Sequence, residues 1–325
     1  MQDIAIRMHA TGGPEVLEAE ALNLPAPAPG EVRVRHTAIG VNYVDIYQRS
    51  GKYGAPALPF IPGAEAAGVV EALGDGVTEF APGQRVAYSR PFAGSYASAA
   101  NVPAPFLVPL PDKVPDDIAA VSMLKGITAH MLFAHNHPLR AGETLLVHAA
   151  AGGLGLLLTQ WAKALGVRVI GTVGSREKAE LALAHGLDHA ILYHEEDFVA
   201  ATLALTDGQG VHFAVDGIGG DTLKRTLQTV RTFGMVASVG EVAGSPGGIA
   251  VSDLGPKHPI SLSRPSVFNY MRDPAWYRAG ALTTLAHLER GLKLPIGEVL
   301  PLRAAAEAQR RLESGTTTGA LLLRP

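Results

Sequence analysis

Two hydrophobic rhythms divide this chain. In its first third apolar and polar positions alternate: Val32-Arg33-Val34-Arg35-His36-Thr37-Ala38-Ile39, then Gly68-Val69-Val70-Glu71-Ala72-Leu73, then, past the turn Gly74-Asp75-Gly76, Gly83-Gln84-Arg85-Val86-Ala87-Tyr88. A period of two belongs to half-buried strands, so this region is expected to form a small irregular β-barrel. From Asp117 the period lengthens, with Ile118, Val121, Leu124 and Ile127 at helical spacing.

Beyond that helix, short apolar runs at 144–147, 167–172, 189–192, 211–215 and 235–239 alternate with helical patterns at 156–165, 176–185, near 195–205 and at 221–230. Apolar strands separated by single helices predict a parallel, doubly wound sheet. After Ser261 the pattern gives helices over 273–290 and 304–313 and a last strand at 320–323, a tail expected to pack back on the first region.

Proline distribution supports the same division. Of 23 prolines, 14 precede residue 120 and only Pro138 lies between Met123 and Ser245, which leaves strands and loops first and regular α/β structure second. The expected domains are 1–122, completed by 263–325, and 123–262.

The apolar run at 144–147 leads into His148-Ala149-Ala150-Ala151-Gly152-Gly153-Leu154-Gly155. Against G-x-G-x-x-G the chain offers Ala150-x-Gly152-x-x-Gly155. Gly152 would admit a pyrophosphate close to the backbone at Gly152-Gly153-Leu154, and Gly155 would let the helix approach the strand. The ligand implied is a dinucleotide.

In NAD-binding folds an acid near the end of the second strand receives the ribose hydroxyl. Here that stretch reads Gly171-Thr172-Val173-Gly174-Ser175-Arg176-Glu177-Lys178, with glycine and serine at the strand end and two cations beyond. A 2′-phosphate suits Gly174, Ser175 and Lys178, so NADPH is the expected cofactor.

Composition narrows the chemistry. With 27 basic and 30 acidic residues and no basic block, a nucleic-acid surface is not expected. The absence of cysteine excludes thiolate catalysis and cysteine zinc sites. Twelve histidines include the closely spaced His130, His135 and His137, but no carboxylate or third ligand stands at metal-site spacing, and no metal is expected. No signal peptide is apparent and the apolar run near 145–158 is too short to span a bilayer, so a cytoplasmic protein without a membrane partner is expected.

The segments Val41-Asn42-Tyr43-Val44-Asp45-Ile46-Tyr47-Gln48-Arg49-Ser50-Gly51, Gly63-Ala64-Glu65-Ala66-Ala67-Gly68, Leu124-Lys125-Gly126-Ile127-Thr128-Ala129, His148–Gly155 and Arg264-Pro265-Ser266 carry a resemblance over nearly the whole chain. It resembles the zinc-free NADPH:quinone oxidoreductases related to zeta-crystallin, within the medium-chain dehydrogenase/reductase superfamily. The resemblance implies a GroES-like catalytic domain, a Rossmann cofactor domain, a homodimer joined through the cofactor domains, and hydride transfer from NADPH to a quinone in the interdomain cleft.

It also implies roles for particular residues. Asn42, Asp45 and Tyr47 would line the nicotinamide side, with Tyr47 nearest the substrate and the candidate catalytic residue. Lys125 and Thr128 lie on the connecting helix. Tyr193 would meet the adenosine end, Gly240-Glu241 a strand end facing the cofactor, and Phe268-Asn269 the nicotinamide. Zinc-dependent relatives carry cysteine where Asn42 stands and histidine where Ala64 stands, so alcohol oxidation through a zinc-bound alkoxide is not expected. Two other readings stand beside quinone reduction: reduction of α,β-unsaturated carbonyls on the same scaffold, and an NADPH-binding structural or RNA-binding protein, against which the lack of a basic stripe counts.

Overall fold

The structure, a computed structural model, describes residues 2–54, 56–90 and 94–325. The chain divides into two compact units, residues 1–127 with 267–325 and residues 128–266. The first unit opens with the antiparallel pair β1 (Ile4–Arg7) and β2 (Glu18–Ala21). It continues with β3 (Glu31–Val41), α1 (Tyr43–Arg49), β4 (Glu65–Leu73), β5 (Arg85–Ser89), β6 (Ala99–Pro103), β7 (Leu107–Pro109) and α2 (Asp116–His130).

Strand β3 organises this unit. Its alternating half buries Val32, Val34 and His36, and it pairs antiparallel with both β4 and β6. Register shifts against β4 after Arg33 and after His36 bend the strand, so the sheet curves as an irregular barrel requires.

Helix α2 and the π-helical turn Met131–Asn136 make one 21-residue helix, apolar enough for a membrane span by composition. Most of its apolar stretch is buried inside the protein, which makes it a core helix. The changeover between units falls inside α2, at 127/128, and again at 266/267. Both lie beyond the 122/123 and 262/263 positions drawn from composition, because α2 keeps most of its length with the first unit although proline ends before it.

The second unit contains β8 (Thr144–Val147), α3 (Gly153–Ala164), β9 (Arg168–Val173), α4 (Arg176–Ala184), β10 (His189–Leu192), α5 (Phe198–Ala204), β11 (Val211–Asp216), α6 (Gly220–Thr226), β12 (Val230–Ser238) and β13 (Ser261–Ser263). All six strands run parallel in the order β10-β9-β8-β11-β12-β13. This is the Rossmann order, whose direction reverses between β8 and β11, and ligands bind beyond the strand ends at such a reversal. Leu146, Ile170, Ile191, Ala214 and Val236 form its core with Phe198 and Leu223 from the helices, as expected for strands buried on both faces.

The tail supplies α7 (Val267–Tyr270), α8 (Pro274–Glu289), β14 (Ile296–Pro301), α9 (Ala305–Glu313) and β15 (Ala320–Arg324). Strand β15 pairs antiparallel with the end of β3 and parallel with β14, and Leu300, Leu302, Ala305, Leu321 and Leu323 enter the same core as Ile6, Val34, Ile39 and Tyr88. The tail therefore completes the first unit.

Candidate active site

In the second unit the glycine turn joins β8 to α3 at the reversal point. Ala149 adopts a left-handed conformation, φ 52°, and its carbonyl accepts the Gly152 N–H at 2.9 Å. A non-glycine residue in this region is strained, and here it lets the chain reverse sharply into the helix. A Cβ on Gly155 would stand 2.4 Å from the Ala149 carbonyl oxygen and 2.7 Å from Ala150 Cα, so only glycine allows α3 to approach β8 this closely. At Gly152 the nearest atom would be 3.2 Å away, so its bareness leaves space rather than preventing a clash.

Alanine at the first motif position also has a physical reason. Ala150 is fully buried, and a Cβ on Gly171 of the neighbouring strand would lie only 2.5 Å from its methyl group. The methyl occupies room that glycine on β9 leaves open. Helix α3 begins at Gly153 without any side-chain cap, so its first N–H groups are directed to whatever lies before the helix.

The predicted adenosine-end residues are brought together. Gly174 follows β9, and a Cβ there would be 2.8 Å from the Tyr193 hydroxyl oxygen. Exposed Ser175 caps α4 by accepting the Lys178 N–H at 3.2 Å. Arg176 instead pairs with Glu195 at 3.0 Å in solvent, a surface contact of little energetic weight. Beyond β12, buried Gly240 and Glu241 pack on the loop after β11: a Cβ on Gly240 would meet the Gly217 carbonyl at 2.7 Å, and Glu241 pairs with Arg264.

In the first unit Asn42 caps α1 and lies at the centre of a buried polar cluster. Its Nδ2 donates to Glu65 Oε1 at 2.8 Å, while Lys125 Nζ donates to Asn42 Oδ1 at 2.7 Å and to Glu65 Oε1 at 2.9 Å. Leu124 N–H donates to Glu65 Oε2 at 2.7 Å, so both oxygens of a fully buried carboxylate are satisfied. Ala64 is buried and without a ligating atom. The donor set does not fit zinc: carboxamide and methyl stand where thiolate and imidazole would be needed, and an ammonium supplies the positive charge.

The family resemblance puts Asp45 on the nicotinamide side. The structure instead buries it completely, with Oδ2 accepting the Asn42 N–H at 2.9 Å and the Tyr96 hydroxyl at 3.1 Å. Its carboxylate closes the capping box of α1 and so acts on Asn42 rather than facing a ligand. Burial pushes Asp45 up to about 7, against the lowering effect of its two donors.

Since 7 exceeds the ordinary 3.8, the folded protein holds a proton there that the unfolded chain releases, and the associated stability is lost as pH rises from about 4 through 7. Asp45→Asn should therefore be more stable than the unmodified protein at pH 8 and much closer to it at pH 4. Melting curves with the same pH dependence in both proteins would refute this.

Tyr47 is nearly buried, its ring 4.8 Å from that of Tyr53 and 5.0 Å beneath Lys52 Nζ. Half-exposed Tyr53, which no sequence motif singles out, borders a cavity of about 780 Å³ in this unit, lined also by Phe60, Ile61, Arg90, Asn101 and Phe268. Asn269 is exposed beside Phe268 on α7, whereas Thr128 is buried on α2.

Comparison with known proteins agrees with this architecture. Residues 28–112 match the alcohol dehydrogenase GroES-like domain, and residues 153–276 the zinc-binding dehydrogenase family, although the Asn42 cluster lacks zinc-ligand chemistry. The chain is 42% identical over 321 residues to a quinone oxidoreductase of Pseudomonas aeruginosa, covering 98% of this chain and 99% of that one. It is 38% identical to a 2-haloacrylate reductase of a Burkholderia species, covering 99% of each. The crystal structure of Escherichia coli quinone oxidoreductase complexed with NADPH superposes with a TM-score of 0.95 at 38% identity, covering 99% of this chain and 100% of that one. The chain belongs to the medium-chain dehydrogenase/reductase superfamily and, within it, to the quinone oxidoreductase family. It is an oxidoreductase.

Proposed function

We propose that this protein is an NADPH-dependent quinone reductase that works without a metal. The observation that carries the reading is the Ala149–Gly155 turn at the reversal point of the parallel sheet, followed by a second strand that ends on Gly174-Ser175 rather than on an acid. The E. coli and P. aeruginosa relatives support the acceptor class.

When bound, NADPH supplies hydride. In the second unit the backbone at Gly152, Gly153 and Leu154 and the N-terminus of α3 would hold its pyrophosphate. Gly174, Ser175, Lys178 and Tyr193 would take the adenosine end, and Thr128, Gly240 and Glu241 the nicotinamide half. In the first unit Asn42, Tyr47, Lys125, Phe268 and Asn269 are the candidates that the family resemblance names. Asp45 fixes Asn42 from behind.

Lys125, neutralised by Glu65, holds the Asn42 amide in a fixed orientation, so this cluster needs no reorientation during reaction. Tyr53 offers aromatic surface to a flat acceptor, with the nearly buried ring of Tyr47 packed against it. The neighbouring cavity falls within the usual size range for small-molecule pockets. Reduction of α,β-unsaturated carbonyls is the second reading, favoured by the 2-haloacrylate reductase relative. A homodimer in the cytoplasm completes the proposal; sedimentation at micromolar concentration should give twice the chain mass.

Ser175→Asp tests cofactor choice. Aspartate caps a helix as well as serine does, so α4 should persist, while the new carboxylate repels a 2′-phosphate. The KM for NADPH should rise by about tenfold or more, the scale of one charge-assisted hydrogen bond, with little change for NADH. Lys178→Ala should act in the same direction. Equal effects on both cofactors would remove these residues from phosphate recognition, and tight NADPH binding without turnover of any quinone would sink the acceptor assignment.

A further inference from the structure

Beneath the glycine turn lies a buried polar chain linking four segments of the second unit. His148, the last residue before the turn, has Nδ1 2.9 Å from Thr172 Oγ1 on β9 and Nε2 2.9 Å from Thr226 Oγ1 on α6. Thr226 Oγ1 is 2.8 Å from Asp216 Oδ2 at the end of β11. The other Asp216 oxygen accepts the N–H groups of Ile218 at 2.8 Å and Gly219 at 2.9 Å. Thr172, His148, Thr226 and Asp216 are all buried, and Phe198 covers the imidazole edge to face, with ring centroids 5.0 Å apart.

The donors along this chain can be assigned. An ionised carboxylate only accepts, so the Thr226 hydroxyl donates to Asp216. The Thr222 carbonyl is also 2.8 Å from that hydroxyl, but it belongs to the helical ladder of α6 and is the weaker acceptor. Thr226 oxygen must then accept from His148 Nε2–H, which leaves Nδ1 as an acceptor for the Thr172 hydroxyl. The sequence Thr172 to His148 to Thr226 to Asp216 holds a neutral imidazole in a single tautomer. Desolvation lowers the His148 pKa, in keeping with that form.

Each end of the chain leads to a loop with a proposed cofactor contact. Thr172 accepts the Ala150 N–H through its carbonyl at 3.0 Å and stands two residues before Gly174. His148 adjoins left-handed Ala149. Asp216 orders Gly217–Gly219, against which Gly240 and Glu241 pack.

We propose that His148 is a positioning residue for cofactor binding: through Thr172, Thr226 and Asp216 it fixes the relative placement of the loops after β8, β9 and β11. The chain touches no ligand and acts through the turn, Gly174-Ser175 and Gly240-Glu241. This inference rests on the reading that NADPH binds at the turn.

Fluorescence titration of NADPH, without acceptor, tests it on the full chain. Thr172→Val and Thr226→Val keep side-chain shape while each breaks one link. Each should raise the NADPH Kd about tenfold, the upper range for one buried hydrogen bond, with kcat at saturating NADPH within about twofold of normal. The double variant should be no weaker than the weaker single, because a chain interrupted once has already lost its registration. Thr172→Ser, which restores the hydroxyl, should bind normally. Unchanged Kd in both valine variants, or effects that multiply in the double, overturns the proposal even if melting temperatures fall. Lack of NADPH binding by the unmodified protein overturns the functional reading itself, and this shows before any variant is compared.

Discussion

Lys125→Met should destabilise the protein by about 3–5 kcal/mol, the usual cost of leaving a buried charge without its partner. Methionine fills the volume of the lysine stem but leaves the Glu65 carboxylate, which has no solvent exposure, with only two neutral donors. Asn42 loses the donor to its carbonyl oxygen and with it one of the two contacts that fix the amide orientation.

The double variant Glu65→Gln/Lys125→Met should recover much of the loss. The carboxamide that replaces the carboxylate can keep the Leu124 N–H on its oxygen and donate its NH₂ to Asn42 once that amide turns over. Chemical denaturation of the unmodified protein, both single variants and the double variant gives the coupling directly. Equal stability of the single and double variants would mean that the ion pair is not what the single variant breaks. Quinone turnover should fall in both, since neither restores the Lys125 hydrogen bond that orients Asn42.

Gly155→Ala is expected to damage both the packing and the ligand turn of the second unit. The added carbon would meet backbone atoms at 2.4 and 2.7 Å, and backbone cannot move aside as a side-chain tip can. Helix α3 must be displaced from β8, at a cost of about 1–3 kcal/mol for overpacking. The phosphate turn opens at the same time, so NADPH binding should be lost together with a lowered melting temperature. Gly152→Ala separates these effects, because its methyl meets only the Ala149 carbonyl, at 3.2 Å. It should melt nearly normally while binding NADPH poorly. If Gly155→Ala melts and binds as the unmodified protein does, the close helix approach is not what position 155 provides.

The second unit is the more legible in sequence, and the reason is physical. Parallel strands buried on both faces are continuous apolar runs, so β8, β9, β10, β11 and the end of β12 stand out between their helices. The early part of β12 does not: it begins at Val230, where the helical pattern of 221–230 ends, and its register against β11 slips between Val230 and Met235. Strands β1, β2, β13 and β14 are short or lie at sheet edges, and β14 contains Gly297 and Pro301, so their patterns carry little periodicity.

The site is legible where one segment defines it, as at the glycine turn and at Gly174-Ser175. It is not legible where distant segments meet. Nothing local distinguishes Asp45, buried on α1, from an exposed residue one turn away, and the partnership of Glu65 with Lys125 depends on how β4 meets α2. The Thr172, Thr226 and Asp216 partners of His148 come from three elements, and no spacing rule links them.

The placement of β15 governs the order in which the chain can become native. Ile39 pairs with Leu323 and Val41 with Leu321, so the sheet of the first unit waits for a strand encoded after the whole of residues 128–266. Residues 128–266, by contrast, form one uninterrupted stretch that contains every partner its own sheet needs. On a translating ribosome the unit of residues 128–266 can settle before the sheet of the first unit is complete, because β15 is made after it.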